Sequence, residues 1–123
     1  VLVRSNKIAI ISEHIKDMPL LKLVDLGDNR LERLPLTIKF WTTLTTLQLD
    51  TNLLSNLPRE IGSLSRLTLL DCTSNRLGGL PPEISGLASL ETFLLEDNRI
   101  LQLPEEIGKV TNLRRLTLSR NDK

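Results

Sequence analysis

A single cysteine, Cys72, stands among the 123 residues, so no intramolecular disulfide can staple the chain. No Asn-x-Ser/Thr acceptor occurs either, and the two absences together favour a cytosolic setting. No charge of one sign dominates. The 16 basic and 15 acidic side chains leave a net charge of +1, too little to draw the whole chain towards nucleic acid or anionic lipid. No apolar run approaches the roughly 18 residues that a membrane span requires, and the start, Val1-Leu-Val-Arg4, lacks the form of a signal peptide. The only histidine, His14, has no cysteine near it in sequence and beside it only Glu13, which gives metal binding and histidine catalysis no footing. No nucleophile, base and orienting group fall into a recognisable motif, and Gly78-Gly79 follows Asn75 in a loop rather than a strand that could present a phosphate. The expectation is a chain without catalytic residues, cofactor or metal.

What the chain does have is a period. Asn6, Asn29, Asn52, Asn75, Asn98 and Asn121 stand 23 residues apart without insertion or deletion. Around Asn52 the apolar frame is Leu44, Leu47, Leu49, Leu54, Leu57, Ile61 and Leu64. The same places hold Leu67, Leu70, Cys72, Leu77, Leu80, Ile84 and Leu87 around Asn75, and Leu90, Phe93, Leu95, Ile100, Leu103, Ile107 and Val110 around Asn98. Self-similarity over a whole chain means a solenoid, in which each unit contacts only its neighbours. The pattern LxxLxLxxNxLxxLPxxIxxLxx is that of leucine-rich repeats. Because the chain opens and closes inside a repeat, residues 1–123 read as a fragment of such a domain, with about five 23-residue repeats plus a partial sixth. Both ends are uncapped and are expected to fray, at Val1 and at Lys123.

The alternation Leu47-Gln48-Leu49 has a two-residue period, so it predicts a short strand with both leucines inward and Gln48 outward. Six such strands are expected in parallel, giving an α/β solenoid whose sheet lines the concave face. Each asparagine follows a strand where the chain must turn, and a buried amide can pair backbone groups that would otherwise lack partners. The six together predict an asparagine ladder. Leu34-Pro35, Leu57-Pro58, Leu80-Pro81 and Leu103-Pro104 then predict helical or 3₁₀ turns on the convex face, with Glu60, Glu83 and Glu106 in the favourable first turn. Gly62, Gly86 and Gly108 are read as relaxing those turns. The first repeat fits least well, with Ser12 in place of the proline. Trp41 falls in the column of Met18, Leu64, Leu87 and Val110, which favours core packing, the alternative being a partly exposed contact beside Phe40. Cys72 falls in an inward column and reads as a buried, unreactive thiol.

The frame also sorts the outward strand positions. The central column is Leu2, Asp25, Gln48, Asp71, Leu94 and Thr117, the next Arg4, Gly27, Asp50, Thr73, Glu96 and Ser119, and the strand-end column Ser5, Asp28, Thr51, Ser74, Asp97 and Arg120. The predicted face is acidic through Asp25, Asp28, Asp50, Asp71, Glu91, Glu96 and Asp97 and basic at Arg114, Arg115 and Arg120. Strands about 4.8 Å apart place Asp25 and Asp71 about 10 Å from each other, within reach of one another's field. These polar side chains either keep the sheet soluble or bind a protein that presents Lys or Arg, with Leu23, Leu69 and Leu94 adding apolar contact. On the second reading the contact residues are Asp25, Gln48, Asp50, Asp71, Thr73, Leu94 and Glu96. Calcium is disfavoured because the carboxylates sit on separate rigid strands.

The units Leu57-Pro-Arg-Glu-Ile-Gly-Ser-Leu-Ser-Arg-Leu67 and Leu103-Pro-Glu-Glu-Ile-Gly-Lys-Val-Thr-Asn-Leu113 resemble the intracellular 23-residue class of leucine-rich repeats, which includes Ras-binding scaffolds. Over Leu21 to Lys123, the order of Leu44-Thr-Thr-Leu-Gln-Leu-Asp-Thr-Asn52, Leu70-Asp-Cys-Thr-Ser-Asn75 and Leu90-Glu-Thr-Phe-Leu-Leu-Glu-Asp-Asn98 resembles the late repeats of the LAP polarity scaffolds, such as Scribble and Erbin. That resemblance implies a cytoplasmic, non-catalytic interaction module recruited to the basolateral membrane. It implies a monomeric unit whose partner is a basic segment or a small-GTPase-linked complex, with no nucleic acid and no membrane insertion. The competing expectation is a substrate-recruiting or regulatory segment of a larger phosphatase, kinase or ubiquitin ligase. An extracellular receptor segment is a third.

Overall fold

The computed structural model describes residues 1–18 and 20–122. Five three-residue strands, β1 (Leu23–Asp25), β2 (Thr46–Gln48), β3 (Leu69–Asp71), β4 (Thr92–Leu94) and β5 (Arg115–Thr117), form one parallel sheet in chain order. The register is one repeat throughout, so Val24, Leu47, Leu70, Phe93 and Leu116 lie opposite one another in a single row. Backbone pairing runs past the strands, with the Leu49 N–H donating to the Asp71 carbonyl at 2.8 Å and the Thr51 N–H to the Thr73 carbonyl at 2.8 Å.

The sixth strand expected in the first repeat shrinks to one parallel bridge, Leu2 to Asp25. Paired along one side only, that segment has few ladder bonds: the Val3 N–H donates to the Asp25 carbonyl, and the Asp25 N–H to that of Val1. The Val1 amino group is itself tied to the Leu23 carbonyl at 2.7 Å. The loosening expected at Lys123 lies outside the described residues.

The outer layer consists of five-residue 3₁₀ turns, Glu13–Asp17, Leu36–Phe40, Arg59–Ser63, Pro82–Gly86 and Glu105–Lys109. Pro35, Pro58, Pro81 and Pro104 cap these turns from one place before them, at φ near −70°, rather than sitting in the first turn as the sequence suggested. A capping residue must be extended, and the proline ring holds that φ without cost. In the first repeat Ser12 takes the position and its hydroxyl accepts from the His14 N–H at 3.2 Å.

Between the layers, the frame residues of the three central repeats are buried, except Leu80, Leu103 and Ile107, which are partly covered. Trp41 is 2% exposed, in keeping with the core reading. Met18, in the same column, is instead 45% exposed, because its turn packs against a neighbour on one side only. Cys72 is fully buried and burial pushes its thiol up, which makes the reactive thiolate harder to form.

Gly62 and Gly86 serve close approach rather than flexibility. A Cβ built on Gly86 would run into the Gly62 carbonyl oxygen of the preceding turn, and one on Gly62 into the Glu83 carbonyl. At Gly108 it would meet nothing. Gly86→Ala is therefore expected to cost about 1 to 3 kcal/mol by overpacking. Gly108→Ala should be neutral or stabilising by about 0.5 kcal/mol, because only the unfolded chain loses freedom. Urea denaturation of the two variants checks this, and equal effects would discard the close-contact explanation.

Candidate partner-binding face

Each strand ends in the same turn. Ser5, Asp28, Thr51, Ser74, Asp97 and Arg120 all have positive φ, between 53° and 60°. None is glycine, and a non-glycine residue there costs about 1 to 2 kcal/mol. The asparagine that follows offsets this strain. In Asn52, for example, Oδ1 accepts from the Leu31 N–H at 2.9 Å while Nδ2 donates to the Leu26 and Leu49 carbonyls at 3.0 and 3.1 Å. Asn29, Asn75, Asn98 and Asn121 repeat the pattern, each reaching a backbone carbonyl 26 residues back. Asn6 bonds only within its own turn, to the Val3 and Arg4 carbonyls. The ladder therefore stitches repeats together and its side chains point inward.

The outward residues form the exposed face of the sheet. Asp25, Gln48, Asp71 and Leu94 stand in register on β1 to β4, all half-buried, beside fully buried Val24, Leu47, Leu70 and Phe93. Two of the carboxylates also cap their own strand: Asp25 Oδ1 accepts from the Gly27 N–H and Asp71 Oδ1 from the Thr73 N–H, each at 3.0 Å. Asp50, Thr73 and Glu96 follow in the next column, half-buried as well.

The acidity of this face is less open than the sequence implies, because Arg4 lies across it. Its Nε donates to Asp25 Oδ2 at 2.9 Å, while Nη1 and Nη2 donate to the two oxygens of Asp50 at 3.0 and 2.6 Å. Reaching Asp50 means passing over Gly27, where any Cβ would overlap the guanidinium. Burial pushes the Asp25 carboxyl up, but the Arg4 and Gly27 hydrogen bonds outweigh it and hold the group below the usual carboxylate range. The hydrogen bonds that Arg4 donates to Asp50 and then to Asp25 push its guanidinium further up. Farther along, Arg120 approaches Glu96 at 3.6 Å and the Ser74 hydroxyl donates to Asp97 at 2.9 Å. Among the described residues, Asp28, Asp71 and Glu91 are left without an ion pair, and Arg114 and Arg115 stand exposed at the basic end. No described group of three His, Cys, Asp or Glu is placed to hold a metal ion.

A family model described as leucine rich repeat matches residues 42–100. No curated protein matches the chain significantly. Among solved structures, the leucine-rich repeat ectodomain of the receptor kinase SOBIR1 from Arabidopsis thaliana is 33% identical, covering 98% of this chain and 69% of that one, with a TM-score of 0.83. The plant peptide hormone receptor RGFR1, solved in complex with RGF2, is 37% identical over 96% of this chain and 20% of that one, with a TM-score of 0.82. A leucine-rich repeat protein of Leptospira interrogans is 31% identical over 95% of this chain, with a TM-score of 0.70. The chain spans about a third of that structure and of an internalin from Listeria monocytogenes. The 23-residue frame that closes into stacked parallel strands, 3₁₀ turns and an asparagine ladder, together with the 33% identity to a solved leucine-rich repeat ectodomain over most of both lengths, places this chain in the leucine-rich repeat family, whose domains generally serve as protein–protein interaction modules.

Proposed function

We propose that this chain is a non-catalytic module that holds a protein segment across the outward face of its sheet. The supporting observation is that the inward rows repeat almost unchanged while the outward row, Asp25, Gln48, Asp71, Leu94 and Thr117, does not. A surface whose chemistry changes from strand to strand distinguishes one ligand from another, whereas one needed only for solubility has no use for such variation. Asp71 and Glu91 suit a segment carrying Lys or Arg, Leu69 and Leu94 add apolar contact, and Arg114 and Arg115 take an acidic residue at one end. A solved relative caught in complex with a peptide hormone agrees with this use of the fold.

The finer assignment is a cytoplasmic scaffold of the polarity or Ras-pathway kind, recruited to the basolateral membrane; the Ras-pathway part rests on the repeat units at Leu57–Leu67 and Leu103–Leu113, and the polarity part on Leu44–Asn52, Leu70–Asn75 and Leu90–Asn98. A second reading, a recruiting or regulatory segment of a larger enzyme, is favoured by the likeness to a receptor kinase ectodomain. The sequence on either side of this chain separates the two, since PDZ domains accompany the first and a catalytic domain the second.

The face itself is tested with Asp71→Lys combined with Leu94→Ala, against Arg66→Ala, exposed just before β3, as control. Proteins cross-linked to the wild-type chain in a cell lysate are expected to fall about tenfold or more with the double variant and to persist with the control. The thermal midpoint should fall by no more than about 8 °C, the loss of the Asp71 bond to the Thr73 N–H and of part of the Leu94 side chain costing about 2 kcal/mol together, so the fold persists. Partners that ignore the double substitution would rule out the sheet face.

A further inference from the structure

We propose that Asp25, Gly27 and Asp50 form a guanidinium-binding notch that Arg4 occupies from within the chain, and that an arginine of a partner segment lying on the sheet takes the same place by displacing it. This rests on the reading of the sheet face as a partner-binding surface and names one part of what it binds.

The notch exists at one place along the solenoid. In the column of Arg4 the later repeats carry Asp50, Thr73, Glu96 and Ser119, so Gly27 is the only gap over which a side chain can cross a whole repeat. A planar fork crossing there finds both Asp50 oxygens side by side and an oxygen of Asp25 at its Nε. Two parallel bonds plus a third fit a guanidinium, whereas an ammonium has no plane to match.

The occupant makes three hydrogen bonds but stays open to solvent. Its side chain is 38% exposed, so solvent screens the pair, and the backbone that carries it belongs to a single-bridge segment rather than to a full strand. Such a tethered group acts as a competitor at high local concentration. It lowers the apparent affinity for an incoming arginine by the fraction of time it fills the notch, without closing the site. A ligand that supplies arginine gains access when Arg4 swings out, and the first repeat is then freed from its tie to the third.

The test uses the 123-residue chain and methylguanidinium as probe, followed by the amide resonance of Gly27, whose N–H sits on Asp25. Arg4→Gln, which keeps much of the aliphatic stem and so the fold of the first repeat, is compared with wild type and with Arg4→Gln/Asp50→Asn. The single variant is expected to show a saturable shift at least about tenfold tighter than wild type and than methylammonium on the same variant. The Asp50 substitution should abolish it. A shift that does not saturate, or one equal in wild type, in the double variant or with methylammonium, overturns the notch. Arg4→Gln should also raise capture of cross-linked partners. Probe binding with unchanged capture would overturn its use by a partner while leaving the notch, and loss of all sheet-face capture would instead be a failure of the partner-binding reading.

Discussion

Asn98→Ala is expected to destabilise the protein by about 3 to 5 kcal/mol, whereas Asn6→Ala should cost less than about 1 kcal/mol. The two positions share a column of the repeat but not an environment. Asn98 is completely buried, its Oδ1 accepts from the Leu77 N–H at 3.0 Å, and its Nδ2 donates to the Cys72 and Leu95 carbonyls at 2.9 and 3.1 Å. Alanine would leave the Leu77 N–H without a partner in a water-free interior, a penalty of about 1 to 3 kcal/mol, and would remove two further bonds worth about 1 kcal/mol each. The carbonyls keep second partners, Asn75 on Cys72 and Asn121 on Leu95, which sets the upper limit. Asn6 is exposed and bonds only its own turn, so water can replace it. Chemical denaturation measures both variants. Equal costs would mean that the ladder contributes nothing beyond local turn formation.

That contrast also marks how far the sequence could be read. The spacing of the asparagines and leucines was enough to place every strand and outer turn, because a fixed-length coil has one way to align equivalent side chains. The register of Leu47 with Leu70 and Phe93 follows from it directly. What the period did not carry was the behaviour of the first repeat. Met18 falls in the inward column of Trp41 and Leu64 yet is 45% exposed, since burial in a solenoid depends on having neighbours on both sides. Nor did it carry the left-handed turn before each asparagine. Asp28, Ser74 and Asp97 hint at it, but β-branched Thr51 and Arg120 in the same column argue against it on local preference, and only the repeated hydrogen-bonding context overrides them.

For the outward face, the sequence placed Asp25, Gln48, Asp50, Asp71, Thr73, Leu94 and Glu96 on the surface where they are found, but could not say which of them are free. Pairing depends on side-chain reach across repeats, 46 residues in the case of Arg4 and Asp50. A signal was present in retrospect. Gly27 breaks a column otherwise filled by side chains, and a glycine in a strand-like stretch without positive φ marks close approach by another group. Asp50 thus serves the cohesion of the solenoid as well as the surface, so reversing its charge would loosen the first repeat. Asp71 is the cleaner probe of the face.

Phe93→Ala should cost about 3 to 5 kcal/mol, and Phe93→Leu no more than about 1.5 kcal/mol. Phe93 is fully buried in the core, with Leu70 opposite it in register on one side and Leu116 on the other. Leucine occupies that row in the adjoining repeats, so it brings a size the neighbours already accommodate, while alanine leaves a cavity that strands fixed in register cannot close. Because each repeat is stabilised chiefly by its neighbours, a weakened fourth strand should also uncouple the two ends. Trp41, buried just before β2, gives a built-in reporter of the far side. In Phe93→Ala the urea midpoint read by tryptophan fluorescence should exceed that read by far-ultraviolet circular dichroism, while in wild type and Phe93→Leu the two should coincide. An alanine variant losing less than about 1 kcal/mol, or losing it equally by both probes, would mean that the row of apolar side chains is not what couples the repeats.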